Sequence, residues 1–170
     1  MPLSAVGQQT RQVIDTLSDY IEAQGHADYI GEAVSQLEHS LQCAYLAQKA
    51  RAEDETVLGA LLHAVGRFIR HSRDKPPMID PDGNNVGIHS HEILGEQYLR
   101  GLGFSEKICQ LVGAHVMAKR YLTTVNQGYY DSLGKSSKTS LKFQGGPFRV
   151  EEVKAARDDP SLEEKMAVRR

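Results

Sequence analysis

The chain of 170 residues has the length of one domain and is long enough to bury a substantial core. Hydrophobic residues make up 40% and charged residues 25%, a composition that indicates a globular protein and excludes a disordered or fibrous one. The formal net charge of -2 excludes the basic excess with which proteins hold nucleic-acid phosphates, and no apolar run approaches the ~20 residues of a membrane span.

The N-terminal half of the chain is predicted to be helical. A weak helical pattern covers 10 to 23, and polar residues occupy its start where a secretory signal needs a continuous apolar segment, so we expect a cytoplasmic protein. Residues 28 to 50 give the clearest helix, because apolar side chains recur there at helical spacing. A second core helix is predicted from Glu55 to about His71, with Asp54 as its N-cap.

The C-terminal half alternates turns and helices. Proline, aspartate and glycine are concentrated in 75 to 87 and predict a loop. Helices are predicted at 91 to 100, after the N-cap Ser105, and near 136 to 143. The last 22 residues carry charges of both signs and are expected to form a solvated helix or tail. No confident strand is predicted, so the fold class is all-α.

The two cysteines are predicted to be reduced core thiols. Cys43 and Cys109 both lie inside helical patterns and lack the spacing of a metal knuckle or a redox pair. A disulfide framework is therefore not expected.

Four of the seven histidines lie on four separate predicted helices, namely His39, His63, His91 and His115. Any one of them alone is most simply a hydrogen-bonded core residue. Imidazoles that converge across a bundle are, however, how helical proteins assemble a metal centre. Lys119 follows His115 on the same face, where an ammonium is costly unless it pairs with an anion or extends to solvent. The pattern predicts a charged pocket with a metal site between helices.

Several motifs, with the spacing between them, resemble one known family over residues 28–147. They are Tyr29-Ile30-Gly31-Glu32, Gln36-Leu37-Glu38-His39-Ser40, Leu61-Leu62-His63, His91-Glu92, His115, Lys119 and Gln144-Gly145-Gly146-Pro147. The pattern resembles the HD-domain mixed-valent di-iron oxygenases of organophosphonate catabolism, and most of all the branch that forms glycine from 2-amino-1-hydroxyethylphosphonate. The resemblance implies one HD-like domain over 1–170, with a core at about 28–147, an N-terminal helix at 10–23 and a polar tail at 148–170.

The resemblance also implies a reaction and its metal ligands. Such enzymes use two irons and O2 to cleave the C–P bond of a 1-hydroxyphosphonate, which releases phosphate. His39 and His63 would hold one iron, and His91 and His115 would hold the other. No nucleic-acid or membrane partner is implied.

The resemblance assigns further residues to the substrate. Lys119 would neutralise the charge of the phosphonate, and Arg67, which stands where relatives have another histidine, is assigned to the substrate too. Tyr29 and Glu32 would gate the site and recognise the substrate amine. The remaining polar groups implied at the phosphonate are Ser137, Ser140 and Gln144.

The chain departs from the family at the carboxylate ligands. Ala64 stands where the family has the aspartate that bridges both metals, and the last aspartate ligand is expected to be absent unless Asp158 or Asp159 turns inward. A bridging carboxylate offsets the charge of two neighbouring cations, so we expect a weakened paired site, with one iron or zinc as an alternative. Three functions stay open: an oxygenase impaired by Ala64, a degenerate protein that binds a phosphonate, phosphate or protein partner, and an HD-type phosphohydrolase.

Overall fold

The computed structural model describes residues 4–25 and 34–169 of the chain. Apart from one short hairpin, its regular elements are helices, so the all-α prediction is confirmed. None of the described helices is both long and apolar enough to cross a membrane. The helices are α1 (Ala5–Gly25), α2 (Gln36–Lys49), α3 (Asp54–Leu62), α4 (His91–Gly101), α5 (Glu106–Gly113), α6 (His115–Val125), α7 (Gln127–Ser132), α8 (Lys135–Phe143), α9 (Val150–Arg157) and α10 (Leu162–Ala167).

Helix α2 begins at Gln36 because its N-terminus carries a capping box. The hydroxyl of Ser35 accepts the backbone N–H of Glu38 at 3.1 Å, and the Glu38 carboxylate accepts the backbone N–H of Ser35 at 2.7 Å. The first residues of the helix predicted at 28 to 50 lie outside the described residues. The cap places His39 one turn into the helix.

The helix predicted from Glu55 to about His71 is shorter in the structure. Helix α3 starts at Asp54, with Glu53 at the N-cap position, so the prediction of Asp54 as the cap was wrong by one residue. The chain leaves the α-helix after Leu62 and continues as 3-10 turns at Val65–Arg67 and Arg70–Asp74. This break places His63 at the C-terminal end of α3.

The predicted loop at 75 to 87 contains a small antiparallel hairpin. Strand β1 (Pro77–Ile79) pairs with β2 (Asn85–Ile88). The side chains of Met78 in β1 and Val86 in β2 are buried. The Asp80 carboxylate accepts the backbone N–H groups of Asp82 and Asn84 and so holds the turn. Strands of three and four residues are too short to show the alternation by which sequence reveals a strand.

The main core lies between α3, α4 and α5, with α1 laid across it. Both cysteines are free and buried, as predicted. Cys43 belongs to a second cluster, in which α2 packs against Ala60 and Leu111, and Val168 closes that cluster from the C-terminal end. The buried residues of the main core are Leu17, Leu62, Val65, Ile69, Leu99, Ile108, Cys109 and Val112.

In the C-terminal segment, α9 has no buried residue, as its charges predict, whereas α10 is not the solvated helix or tail that was expected. Leu162 and Met166 of α10 pack with Ala118 and Leu122 of α6, and Val168 is fully buried. Apolar residues four positions apart lie on one face of a helix, so a few of them are enough to bury it among charged neighbours. This packing brings the last described residues next to the histidines.

Candidate metal and anion site

The structure brings together the four histidines that the sequence singled out. His39 comes from α2, His63 follows α3, and His91 and His115 are the first residues of α4 and α6. The ring centroids of His39 and His63 are 5.0 Å apart, those of His63 and His115 5.2 Å, and those of His91 and His115 4.8 Å. The rings therefore form one continuous cluster at the meeting point of four elements.

The backbone fixes how three of these rings face the cluster. Nδ1 bonds the carbonyl oxygen three residues earlier in His63 (2.7 Å), His91 (3.0 Å) and His115 (2.9 Å). A carbonyl only accepts, so Nδ1 carries the proton and the lone pair of Nε2 points inward. Nε2 of His91 lies 2.8 Å from Nε2 of His115, and Nε2 of His63 lies 3.2 Å from that of His39. The lone pairs of His91 and His115 therefore face each other and repel unless a cation lies between them, so this pair fits a metal ion. The Nε2 of His39 can instead donate a hydrogen bond to that of His63, in the tautomer that carries the proton there.

Burial keeps the imidazoles in their neutral form. Desolvation, followed by the charge of His63, lowers the pKa of His39 to about 2. Desolvation, followed by Arg169, lowers the pKa of His63 to about 3. The pKa values of His91 and His115 also fall well below the ordinary range, again mainly through desolvation. A neutral imidazole is the form that ligates metals.

No carboxylate joins the inward-facing ring nitrogens in a group of three convergent ligand atoms in the described part of the chain, and Glu92 lies on the outer side of the cluster, 3.7 Å from Nδ1 of His91. The one group of three convergent ligand atoms found there is His39, Cys43 and His63, all within 4.8 Å of one another. The position after His63 is the buried methyl group of Ala64. Asp159 instead accepts from Ser161 and Lys165, and Asp158 is exposed, so neither turns inward.

A pocket rich in hydrogen-bond donors adjoins the His91 and His115 side of the cluster. Lys119 is 3% exposed, and its Nζ donates to Oγ of Ser140 at 2.8 Å and to Oε1 of Gln144 at 3.0 Å. Desolvation, followed by Arg169 and Arg67, lowers the pKa of Lys119 to about 6. The pocket is lined by Arg67, Val86, His91, His115, Val116, Lys119, Ser136, Ser137, Ser140, Gln144 and Arg169.

The substrate residues expected from the sequence divide into two groups. Lys119, Arg67, Ser137, Ser140 and Gln144 all line this pocket, whereas Tyr29 and Glu32 lie outside the described residues. The substrate-binding roles of all seven residues stay predictions.

Sequence reasoning missed two polar residues of the pocket, Ser136 and Arg169, and two apolar ones, Val86 and Val116. The Arg169 guanidinium reaches the pocket because α10 is packed inward, and its Nε donates to the Tyr129 hydroxyl at 3.1 Å. The spacing of Leu162 and Met166 was the signal that could have located this helix, and with it Arg169.

Comparisons with known proteins identify the family. Residues 37–142 match the HD domain family. The chain is 33% identical over 162 residues to the uncharacterized protein L432 of Acanthamoeba polyphaga mimivirus, covering 95% of this chain and 72% of that protein. It is 34% identical over 157 residues to the glycine-betaine-forming [1-hydroxy-2-(trimethylamino)ethyl]phosphonate dioxygenase of Leisingera caerulea. That alignment covers 92% of this chain and 76% of the enzyme.

A third relative is also named as a phosphonate dioxygenase. The chain is 32% identical over 147 residues to the hydroxymethylphosphonate dioxygenase of Gimesia maris (strain ATCC 29201 / DSM 8797 / 534-30), which covers 86% of this chain and 70% of that enzyme. All three alignments extend beyond the HD match at 37–142 and so include most of the described elements. The chain therefore belongs to the HD-domain family, together with these phosphonate dioxygenases.

Proposed function

We propose that this chain binds a 1-hydroxyphosphonate and supports the iron- and O2-dependent cleavage of its carbon–phosphorus bond, with release of phosphate. One observation carries the proposal: a buried lysine in a donor-rich pocket directly adjoins a cluster of inward-facing imidazoles. An anion on Lys119 is thereby held beside metal ligands. The names of two relatives, both phosphonate dioxygenases, support the same chemistry.

The imidazoles would hold the iron. His91 and His115 line the anion pocket and would hold the ion nearest the substrate, while His39 and His63 would provide the second metal position. When bound, iron supplies the activation of O2 that the reaction requires.

The remaining side chains would bind and orient the phosphonate. Lys119 would contact its oxygens as a point charge, and Arg67 and Arg169 would add planar donors suited to a tetrahedral anion. Ser140 and Gln144 hold the Lys119 ammonium in place. The approach of the anion favours the charged form of Lys119, so binding would bring a proton to Nζ.

We infer that Ala64 limits this oxygenase activity. Without a carboxylate between the two positions, a second iron at His39 and His63 would be held by neutral imidazoles, and the charge repulsion between two cations would not be offset. The same observation favours a second candidate, a protein that binds a phosphonate or phosphate without turnover.

The substitution Ala64→Asp tests the oxygenase proposal. We expect iron per chain to rise and phosphate release from 2-amino-1-hydroxyethylphosphonate to increase at least about tenfold, because the restored carboxylate offsets the metal charge. Iron is measured by elemental analysis and turnover by O2 uptake together with phosphate release. Ala64→Asn is the matched control, since it has the same size without the charge.

The outcomes separate the candidate functions. Phosphate release that consumes no O2 would indicate a hydrolase. A wild-type protein that binds the phosphonate but neither takes up O2 nor gains iron on Ala64→Asp would indicate the binder. An equal gain from Ala64→Asn would contradict the role assigned to the carboxylate.

A further inference from the structure

The proposed function leaves one side chain that could ligate a metal unused, the cysteine next to His39 and His63. Cys43 lies one helical turn after His39 on α2, so the two side chains share one face of that helix. Sγ of Cys43 is 3.9 Å from Nε2 of His39, and both atoms lie within 4.8 Å of a ring nitrogen of His63. The thiol is 6% exposed and the His63 ring 1% exposed, whereas His39 is half-buried.

These separations match those of ligands that share one tetrahedral ion. Bonds of ~2.3 Å to sulfur and ~2.0–2.1 Å to imidazole nitrogen place two nitrogens about 3.3 Å apart and sulfur about 3.6 Å from nitrogen. The corresponding distances here are 3.2 Å for His39 to His63 and 3.9 Å for Cys43 to His39. The His39 and His63 nitrogens already have this spacing, whereas the Cys43 sulfur, within 4.8 Å of both, would have to move closer to them for all three atoms to ligate one ion.

Charge and softness distinguish this set from the His91 and His115 pair. A cysteine ligates as its thiolate, so Cys43 would supply the negative charge that Ala64 does not. Thiolate with imidazole favours zinc, and zinc also exceeds ferrous iron in general affinity for nitrogen and sulfur sites.

Three protein ligands would leave a tetrahedral ion one coordination position, and solvent reaches this group of residues through His39. A cleft of about 210 Å³ reaches His39 and is lined further by Val34, Tyr129, Leu133 and Arg169. Three protein ligands with one open position are typical of zinc sites that exchange water or substrate, rather than of closed structural ones.

We propose that His39, Cys43 and His63 form a mononuclear zinc site in this chain. The inference rests on one part of the proposed function, the use of His39 and His63 as metal ligands, and places zinc where a second iron would otherwise bind; it does not rest on phosphonate turnover. It divides the cluster into a thiolate-bearing half for zinc and an all-imidazole half next to the anion pocket.

Cobalt(II) is the probe, because a thiolate bound to cobalt gives an intense charge-transfer band in the near ultraviolet that imidazole ligands do not give. Metal-free wild-type protein is titrated with cobalt(II) chloride, and we expect the band to saturate at one thiolate-bound cobalt per chain. Cys43→Ser should abolish the band and weaken zinc binding at least about tenfold in competition with a chelator, since even losing an outer partner of a ligand costs ~10–100-fold.

Cys109→Ser is the matched control, because Cys109 is the other buried free cysteine and lies in the α3–α5 core. This variant should keep both the band and the zinc affinity. Absence of a thiolate band in the wild type, with or without bound cobalt, would overturn the proposal, as would a band that survives in Cys43→Ser. Far-ultraviolet circular dichroism checks that both variants fold. The titration uses no phosphonate, so an intact band with no O2 uptake would count against the proposed function alone.

Discussion

Lys119 shows how burial sets the chemistry of a single residue in this protein. Its pKa is lowered to about 6, mainly by desolvation, while the unfolded chain keeps the ordinary value near 10.4. Because Lys119 binds its proton more weakly in the folded chain, folding releases that proton at pH values between the two pKa values. Stability therefore rises with pH between the two pKa values and is lowest below the folded one.

Between about pH 7.5 and about pH 9 we expect the free energy of unfolding of the metal-free protein to increase by at most ~1.4 kcal/mol per pH unit; below this window the four buried histidines, whose pKa values are also lowered, add to the slope. Above this window the Cys43 thiol, with an ordinary pKa of 9.0 that burial raises, adds a dependence of its own. Lys119→Met should flatten the increase, whereas Lys142→Met, at an exposed lysine on α8, should leave it unchanged. Urea denaturation at a series of pH values measures this, and a slope that survives in Lys119→Met would contradict the assignment.

At the scale of elements, a close approach between the 3-10 turn after α3 and the start of α4 positions His63 relative to His91. A Cβ atom on Gly66 would overlap the carbonyl oxygen of His91 and lie 2.7 Å from the backbone nitrogen of Gly95. Both obstacles are backbone atoms, so neither can rotate away. Only glycine allows this turn to rest directly on α4.

Gly66→Ala is therefore expected to destabilise the fold by at least about 3 kcal/mol. Gly101→Ala, at the end of α4, is the control, because an added Cβ meets nothing within 4 Å there and alanine is favoured over glycine in a helix. Thermal or urea unfolding of the two variants makes the comparison. Equal stabilities would show that the turn and α4 can separate without penalty.

The elements also show what periodicity can and cannot reveal. The main helices were predictable because apolar side chains repeat at helical spacing, and the convergence of the four histidines followed from their places on those helices. The end of α3 was not predictable, because it depends on Gly66 meeting a helix that begins 25 residues later in sequence. The hairpin was too short to show a pattern, and the charges of the last segment hid the apolar face of α10.

For the whole molecule, the C-terminal segment closes the structure onto the site. Met166 is 1% exposed and packs in one cluster with Ala118 and Leu122 of α6, the helix that carries His115 and Lys119. Val168, two residues later, packs in a different cluster, with Cys43 and Ala47 of α2. The C-terminal segment thus links α2, which carries His39 at one end of the histidine cluster, to α6, which carries His115.

Met166→Ala is expected to lower the free energy of unfolding by about 2–5 kcal/mol, the usual range for truncating a buried methionine. Val150→Ala, at a side chain that is 81% exposed, should change it by less than about 0.5 kcal/mol. Denaturant titration followed by fluorescence and circular dichroism measures both variants. The prediction of a single domain requires one coincident transition in each, and two separate transitions would contradict it.

The anchoring of three ring nitrogens to carbonyl groups has a consequence for how the protein handles ions. His63, His91 and His115 are aimed by bonds within their own turns of backbone, so their orientation does not depend on the bound ion. A coordination sphere built from these rings would be preorganised, and we expect forms with and without a metal ion to share one scaffold. An ion bound there would enter and leave without the helices rearranging, so we expect its identity to depend on supply as well as on affinity.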